Sequence, residues 1–150
     1  MIETVRTDPR AGLEAAPARA PHNTRPAYAA FVILYIGFIA LPILAGLDKF
    51  AHVLCNWDLY LAPRIADLLP VPGHRFMLAV GVIEIVAGVL VLLWPRVGAV
   101  VVALWLWGII VNLLLIPGYY DVALRDFGLS LGAWALFCLA LGFRRRRLAS

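Results

Sequence analysis

Glu84 stands alone as a charged residue inside the run Gly81-Val82-Ile83-Glu84-Ile85-Val86-Ala87-Gly88. An ionisable group in such a setting serves to exchange a proton, to hold the polar part of a ligand, or to tie helices together by pairing with a cation. The cations that could reach it are Lys49 and Arg125, each next to an acid in Asp48-Lys49 and Arg125-Asp126, and Asn112 adds a neutral hydrogen-bonding group. Together these six residues are the candidates for a polar site. One reading is a pocket for a small anionic or quinone-like ligand, or a relay that carries protons to it. The other is an ion-pair network that pins helices, because a desolvated charge needs a partner. For Asp48, Lys49, Arg125 and Asp126 the structural reading has the advantage, since charges near helix ends can also reach back to water. For Glu84 the two readings balance.

Other chemistry finds less support. His52 and Cys55 form a His-x-x-Cys spacing beside Asp58, with His74 further on, but a metal centre needs more convergent ligands than this spacing supplies, so none is expected. Axial haem ligation needs facing histidines, whereas His22, His52 and His74 all fall outside the apolar segments. Cys55 and Cys138 belong to different regions and make an intrachain disulfide improbable. There is no nucleotide-binding loop and no convincing set of nucleophile, base and orienting group.

The elements that must position these residues are membrane helices. Hydrophobic residues make up 63% of the 150-residue chain and charged residues 15%, with a mean hydropathy of +0.90. That is well beyond the apolar share of roughly 45–50% in a soluble domain. The expected fold is all-α: a bundle of four transmembrane helices over residues 26–143, with spans near 26–50, 75–94, 97–117 and 122–143. Each can cross a hydrocarbon core about 30 Å thick. Residues 1–25 hold Pro9, Pro17 and Pro21 among scattered charges, without the apolar run of a signal peptide, and are expected to form a disordered, uncleaved tail.

Four spans place both termini on one side of the membrane. That side would hold nine of the thirteen basic residues, including Arg25, Arg96 and the arginines at 144–147, so the expected orientation is N-in, C-in with a basic cytoplasmic end at 144–150. Tyr28 and Trp94 fall at the inner boundary, Tyr119 and Tyr120 at the outer. The net charge of +4 reads as contact with anionic lipid rather than nucleic acid.

Within the second segment Gly81, Glu84 and Gly88 share a face, and small residues allow close helix approach, so that face should be buried. Counting from Arg75 puts Glu84 about 13 Å into the membrane. In the third segment Trp105, Gly108 and Asn112 share a face, with Gly108 a further candidate for helix packing. Asp121 is a candidate N-cap for the fourth. An outer loop over 55–74 joins the first two segments, its centre Ile65-Ala66-Asp67-Leu68-Leu69 expected to lie on the membrane interface.

The order Gly46-Leu47-Asp48-Lys49-Phe50, then Gly81-x-x-Glu84-x-x-x-Gly88, then Arg125-Asp126 resembles the DoxX-like membrane protein family over roughly residues 30–143. The resemblance implies a four-helix protein of the bacterial inner membrane, in a family whose members include subunits linked to thiosulfate:quinone oxidation and membrane partners of thiol-handling or superoxide-removing enzymes. Lys49, Glu84, Arg125 and Asp126 correspond to its polar pattern, with no established catalytic role to transfer. The expected function is accordingly a non-catalytic or quinone-proximal membrane subunit that anchors a redox partner, with no covalently bound cofactor; any part in catalysis is expected as a subunit of an oxidoreductase rather than alone. The alternatives are a small transporter or proton-coupled permeability factor, for which one monomer is too apolar and a homo-oligomer would be needed, and a purely structural assembly subunit.

Overall fold

The computed structural model describes residues 25–148, with the backbone alone for 144–148. The expected tail therefore lies outside the described residues except for Arg25, which opens the first helix. Four long helices carry the fold: α1 (Arg25–Ala51), α3 (Gly73–Leu93), α4 (Pro95–Leu114) and α5 (Tyr120–Leu148). Between α1 and α3 lie a 3-10 helix, Trp57–Tyr60, and the one-turn helix α2, Pro63–Ala66. No strand occurs among the described residues. All four long helices are long and apolar enough to cross a membrane. This is an all-α, four-helix, multi-pass membrane protein.

Helix boundaries follow from local chemistry. Trp94 precedes Pro95 and leaves the helical region (φ −136°, ψ 79°), as the clash with a following proline ring favours. That single residue breaks what would otherwise be one long helix and folds α4 back against α3. Pro117 and Gly118 punctuate the α4–α5 turn, and Gly118 sits at φ 92°, where a side chain would be strained. Asp121 lies inside the first turn of α5, because the helix begins one residue earlier at Tyr120. Its carboxylate pairs with Arg125 at 3.1 Å on the surface and does not serve as the N-cap.

Glycines bring α1 and α3 into backbone contact. A Cβ at Gly46 would stand 2.5 Å from the carbonyl oxygen of Gly81, and one at Gly88 would stand 2.9 Å from that of Ile39. Without a hydrophobic drive between helices in lipid, such close approach is a principal source of adhesion. Gly108 behaves differently. Nothing lies within 4 Å of where its Cβ would be, so it leaves space rather than closing a helix contact.

The interior has two packed layers. Phe38, Ala87, Val91, Ala99, Val102, Ala103, Ala133 and Leu136 form one, towards the end where α1 starts and α5 finishes. There Phe143 makes edge-to-face contacts with Tyr28 and Phe31, which puts both ends of the bundle's chain on one side. The second layer, Ala62, Ile110, Leu113, Ile116 and Ala123, lies at the opposite, loop-bearing end. Outward faces carry Ile33, Leu44, Val86, Leu104, Val111 and Leu131, all exposed in the isolated chain and suited to acyl chains. Tyr28, Trp94 and Tyr120 are exposed near the two rims, while Tyr119 turns inward onto Tyr60, ring centroids 5.0 Å apart.

Candidate functional site

Between the two layers lies a cavity of about 520 Å³. Its walls come from all four long helices and from the loop, and they are mostly apolar: Phe38, Leu41, Ala45, Met77, Val80, Val102, Ile109 and Leu129 among others. Lys49, Glu84, Asn112 and Asp126 bring polar atoms to this wall. Size and lining match the usual small-molecule site, a largely apolar cleft of about 300–1,000 Å³ with few convergent polar groups.

The centre of the polar wall is an ion pair. Lys49 Nζ lies 2.5 Å from Glu84 Oε2, with the two side chains 3% and 9% exposed. Glu84 sits about 16 Å along α3 from Gly73, and the Gly46–Gly81 crossing one turn away brings the two backbones close enough for a short, direct bond. The ammonium also stands 3.8 Å from the centre of the Trp57 ring, so its desolvated charge meets a carboxylate and an aromatic face.

Asp126 faces the same space from α5, within electrostatic reach of Glu84. Among the described residues its carboxyl has no hydrogen-bond or ion-pair partner. Trp105 contributes a second group: its Nε1 is buried on the Glu84 side of the cavity, near enough to act on that carboxylate but without a hydrogen bond of proper geometry to it or to any other group. A buried polar atom left bare costs about 1–3 kcal/mol. An unpaired donor and an unpaired carboxyl opening onto one cavity are therefore what a polar ligand would satisfy.

The loop covers one end of the cavity. Asn112 Nδ2 donates to the carbonyl of Tyr60 at 2.5 Å, and Asn112 Oδ1 accepts from the backbone N–H of Ala62 at 2.9 Å. Ala62 is fully buried as a result. Asp48 pins the other side, accepting from the N–H groups of Val53 and Leu54 and from Trp57 Nε1 at 2.7 Å. Of the segment expected at the membrane interface, Ile65 lines the cavity and Leu68 is 84% exposed. The local signal for this cover was Asn56, whose side chain accepts from Asp58 N–H and starts the 3-10 turn. Its long-range anchors, Asp48 and Asn112, lie 9 and 50 residues from the groups they hold.

Five of the six polar candidates thus meet in one half of the bundle, with distinct tasks. Lys49, Glu84 and Asp126 face the cavity, Asn112 lines it while holding the cover, and Asp48 anchors the loop. Arg125 does not join them: it is on the outer surface with Asp121, their side chains 75% and 61% exposed. Gly81 and Gly88 serve helix packing, whereas Gly108 lines the cavity. The sequence pattern put Trp105 on one face with Gly108 and Asn112 but gave it no role, since an aromatic in an apolar helix reads equally as packing, and it gave none to Trp57 and Tyr60 in the loop. Cys55 lies by Tyr60 and Asp48, and burial, with the Asp48 charge next in weight, pushes its thiol above the usual range. Cys138 is a free thiol on the exposed side of α5.

No protein-family model, no curated protein and no solved structure matches the chain.

Proposed function

We propose that this protein holds a lipid-soluble ligand with a polar head, of the quinone class, and serves as a quinone-proximal membrane subunit of a redox assembly. The observation that carries the reading is the cavity in which an apolar wall surrounds the Lys49–Glu84 pair, the unpartnered Asp126 carboxyl and the bare Trp105 N–H. When bound, a quinone supplies reversible two-electron, two-proton chemistry, its electrons coming from and returning to a partner enzyme. The chain's own residues would bind and orient it. Trp105 Nε1 and Lys49 Nζ donate to carbonyl oxygens, while Asp126 offers a carboxyl that can exchange a proton at the ring. Phe38, Val102 and Leu129 exclude water around it.

Access supports a lipid-borne ligand. Helices α1 and α5 touch near their basic end, through Phe143 and through Phe38 against Gly132. Further along, Leu41 of α1 and Leu129 of α5 line the cavity and are also 54% and 41% exposed. These two side chains thus border both the cavity and the outer surface that acyl chains would cover. The resemblance to DoxX-like proteins supports the same reading; it implies a bacterial inner membrane, in which the distribution of arginines would put the basic end in the cytoplasm.

A transporter fits less well. Val91, Ala99 and Leu136 are fully buried beneath the cavity, so a single chain offers no polar route to the other side. A structural subunit would account for Asp48 and Asn112 but leaves Asp126 and Trp105 unexplained.

The test is extraction from native membranes in mild detergent, followed by identification of co-purifying proteins and of quinones in the lipid extract. Bound quinone near one per chain, lost in Asp126→Asn and Trp105→Phe, is the expected result. A preparation containing neither quinone nor an oxidoreductase would remove this reading in favour of the structural one.

A further inference from the structure

Outside the cavity, on the far side of its cover, a second group of side chains converges. His52 follows the last residue of α1, Asp58 belongs to the 3-10 helix, and His74 is in the first turn of α3. One ligand atom from each lies within 4.8 Å of the others. His74 Nδ1 is 3.0 Å from Asp58 Oδ2, and the imidazoles of His52 and His74 are nearly parallel, with centroids 5.6 Å apart and planes at 24°.

Tetrahedral coordination with bonds of about 2.0–2.2 Å holds ligand atoms roughly 3.4 Å apart. The His74–Asp58 separation, 3.0 Å, is close to that value, and the two separations to His52, within 4.8 Å, would close by rotation of the exposed imidazoles. Two imidazole nitrogens and a carboxylate are a donor set for Zn²⁺ and its first-row neighbours rather than for Mg²⁺ or Ca²⁺, which take oxygen ligands.

A second observation concerns His52 itself. It is the one non-glycine residue with positive φ among the described residues, at 52°. Its N–H bonds the carbonyl of Asp48 at 2.7 Å, the left-handed cap that glycine ordinarily provides at a helix C-terminus. Histidine is one of the few side chains besides glycine that takes this conformation readily, and here its ring lies stacked against that of His74.

We propose that His52, Asp58 and His74 form a binding site for a divalent cation of the Zn²⁺ class, which clips the loop cover to the ends of α1 and α3. The remaining coordination position faces solvent and takes water. Cys55 is outside the set, so the His-x-x-Cys spacing is not the signature of the site. The cation joins three elements that are otherwise held through Asp48 and Asn112, and it therefore rigidifies the cover without entering the cavity.

The test is calorimetric titration of Zn²⁺ into the full chain in detergent, free of any polyhistidine tag and stripped of lipid extractables, so that quinone occupancy has no bearing on the result. One Zn²⁺ per chain is expected, together with slower proteolysis of residues 52–72. His52→Gly keeps the cap and removes a ligand, and His74→Gln retains a hydrogen bond to Asp58. Each should weaken binding by about tenfold or more with an unchanged gel-filtration profile, while Cys55→Ser binds like the parent. No Zn²⁺ binding by the parent, binding undiminished in His52→Gly and His74→Gln, or binding lost in Cys55→Ser would overturn the proposal.

Discussion

Lys49 and Glu84 form a buried ion pair, Nζ to Oε2 at 2.5 Å, between two helices whose backbones touch at Gly46 and Gly81. The glycines and the pair depend on one another. Close approach lets the lysine reach the glutamate directly, and the bond fixes the rotation of α1 against α3 so that both groups border the cavity.

Removing one partner leaves the other charge buried. Lys49→Met or Glu84→Gln alone should destabilise the bundle by about 3–5 kcal/mol, read as a lower midpoint of thermal unfolding in detergent. The double variant should recover part of the loss. Equal, additive losses would mean that the two groups act independently.

Glycines at the helix contact and in the cavity should separate cleanly. Gly46→Leu and Gly88→Leu force α1 from α3 and should prevent recovery of folded protein, since the added atoms meet backbone oxygens. Gly108→Leu meets open space and should leave the free energy of unfolding within roughly 0.5 kcal/mol of the parent. By filling the cavity it should lower bound quinone, measured in the same preparation.

Asn112 carries the cover. Asn112→Leu loses two hydrogen bonds, to Tyr60 O and Ala62 N, and leaves both backbone groups without their partner at a cost of about 1–3 kcal/mol. Limited proteolysis should then cut within residues 52–72 faster than in the parent, while the four long helices persist by circular dichroism. An unchanged cutting rate would show that Asp48 suffices to hold the loop.

Cys55 tests orientation and reactivity together. Burial and the Asp48 carboxylate raise its thiol, so the reactive thiolate is a minor species at neutral pH and grows as pH rises through an elevated pKa. In a Cys138→Ala background, labelling by a membrane-impermeant maleimide should be slow at pH 7 and accelerate beyond the range of an ordinary thiol, which titrates near about 8.5. Labelling of intact spheroplasts from outside places the loop away from the cytoplasm. Labelling only after lysis would invert the orientation.

The membrane class, the four helices and the glycine-lined face of Glu84 were legible in the sequence, because length, apolarity and small-residue spacing act locally along each segment. Arg125 and Asp126 show where that legibility stops. They are adjacent, yet one is on the surface with Asp121 and the other faces the cavity. Neighbouring residues on a helix point about 100° apart, and a helix that is apolar on nearly every side carries no stripe to reveal its rotation. Packing alone selects it. The same reason governs Gly108, equally suited by type to a helix contact and to an open wall, and Trp105, whose bare N–H is visible only once its neighbours are placed. The spacing named His52, Asp58 and His74 but not their convergence, because the fold must bring His74 to Asp58 across 16 residues and Asn112 to the cover across 50. Composition and local pattern thus determined what the chain is made into, and the tertiary arrangement of four nearly featureless helices decided which of its few polar groups meet.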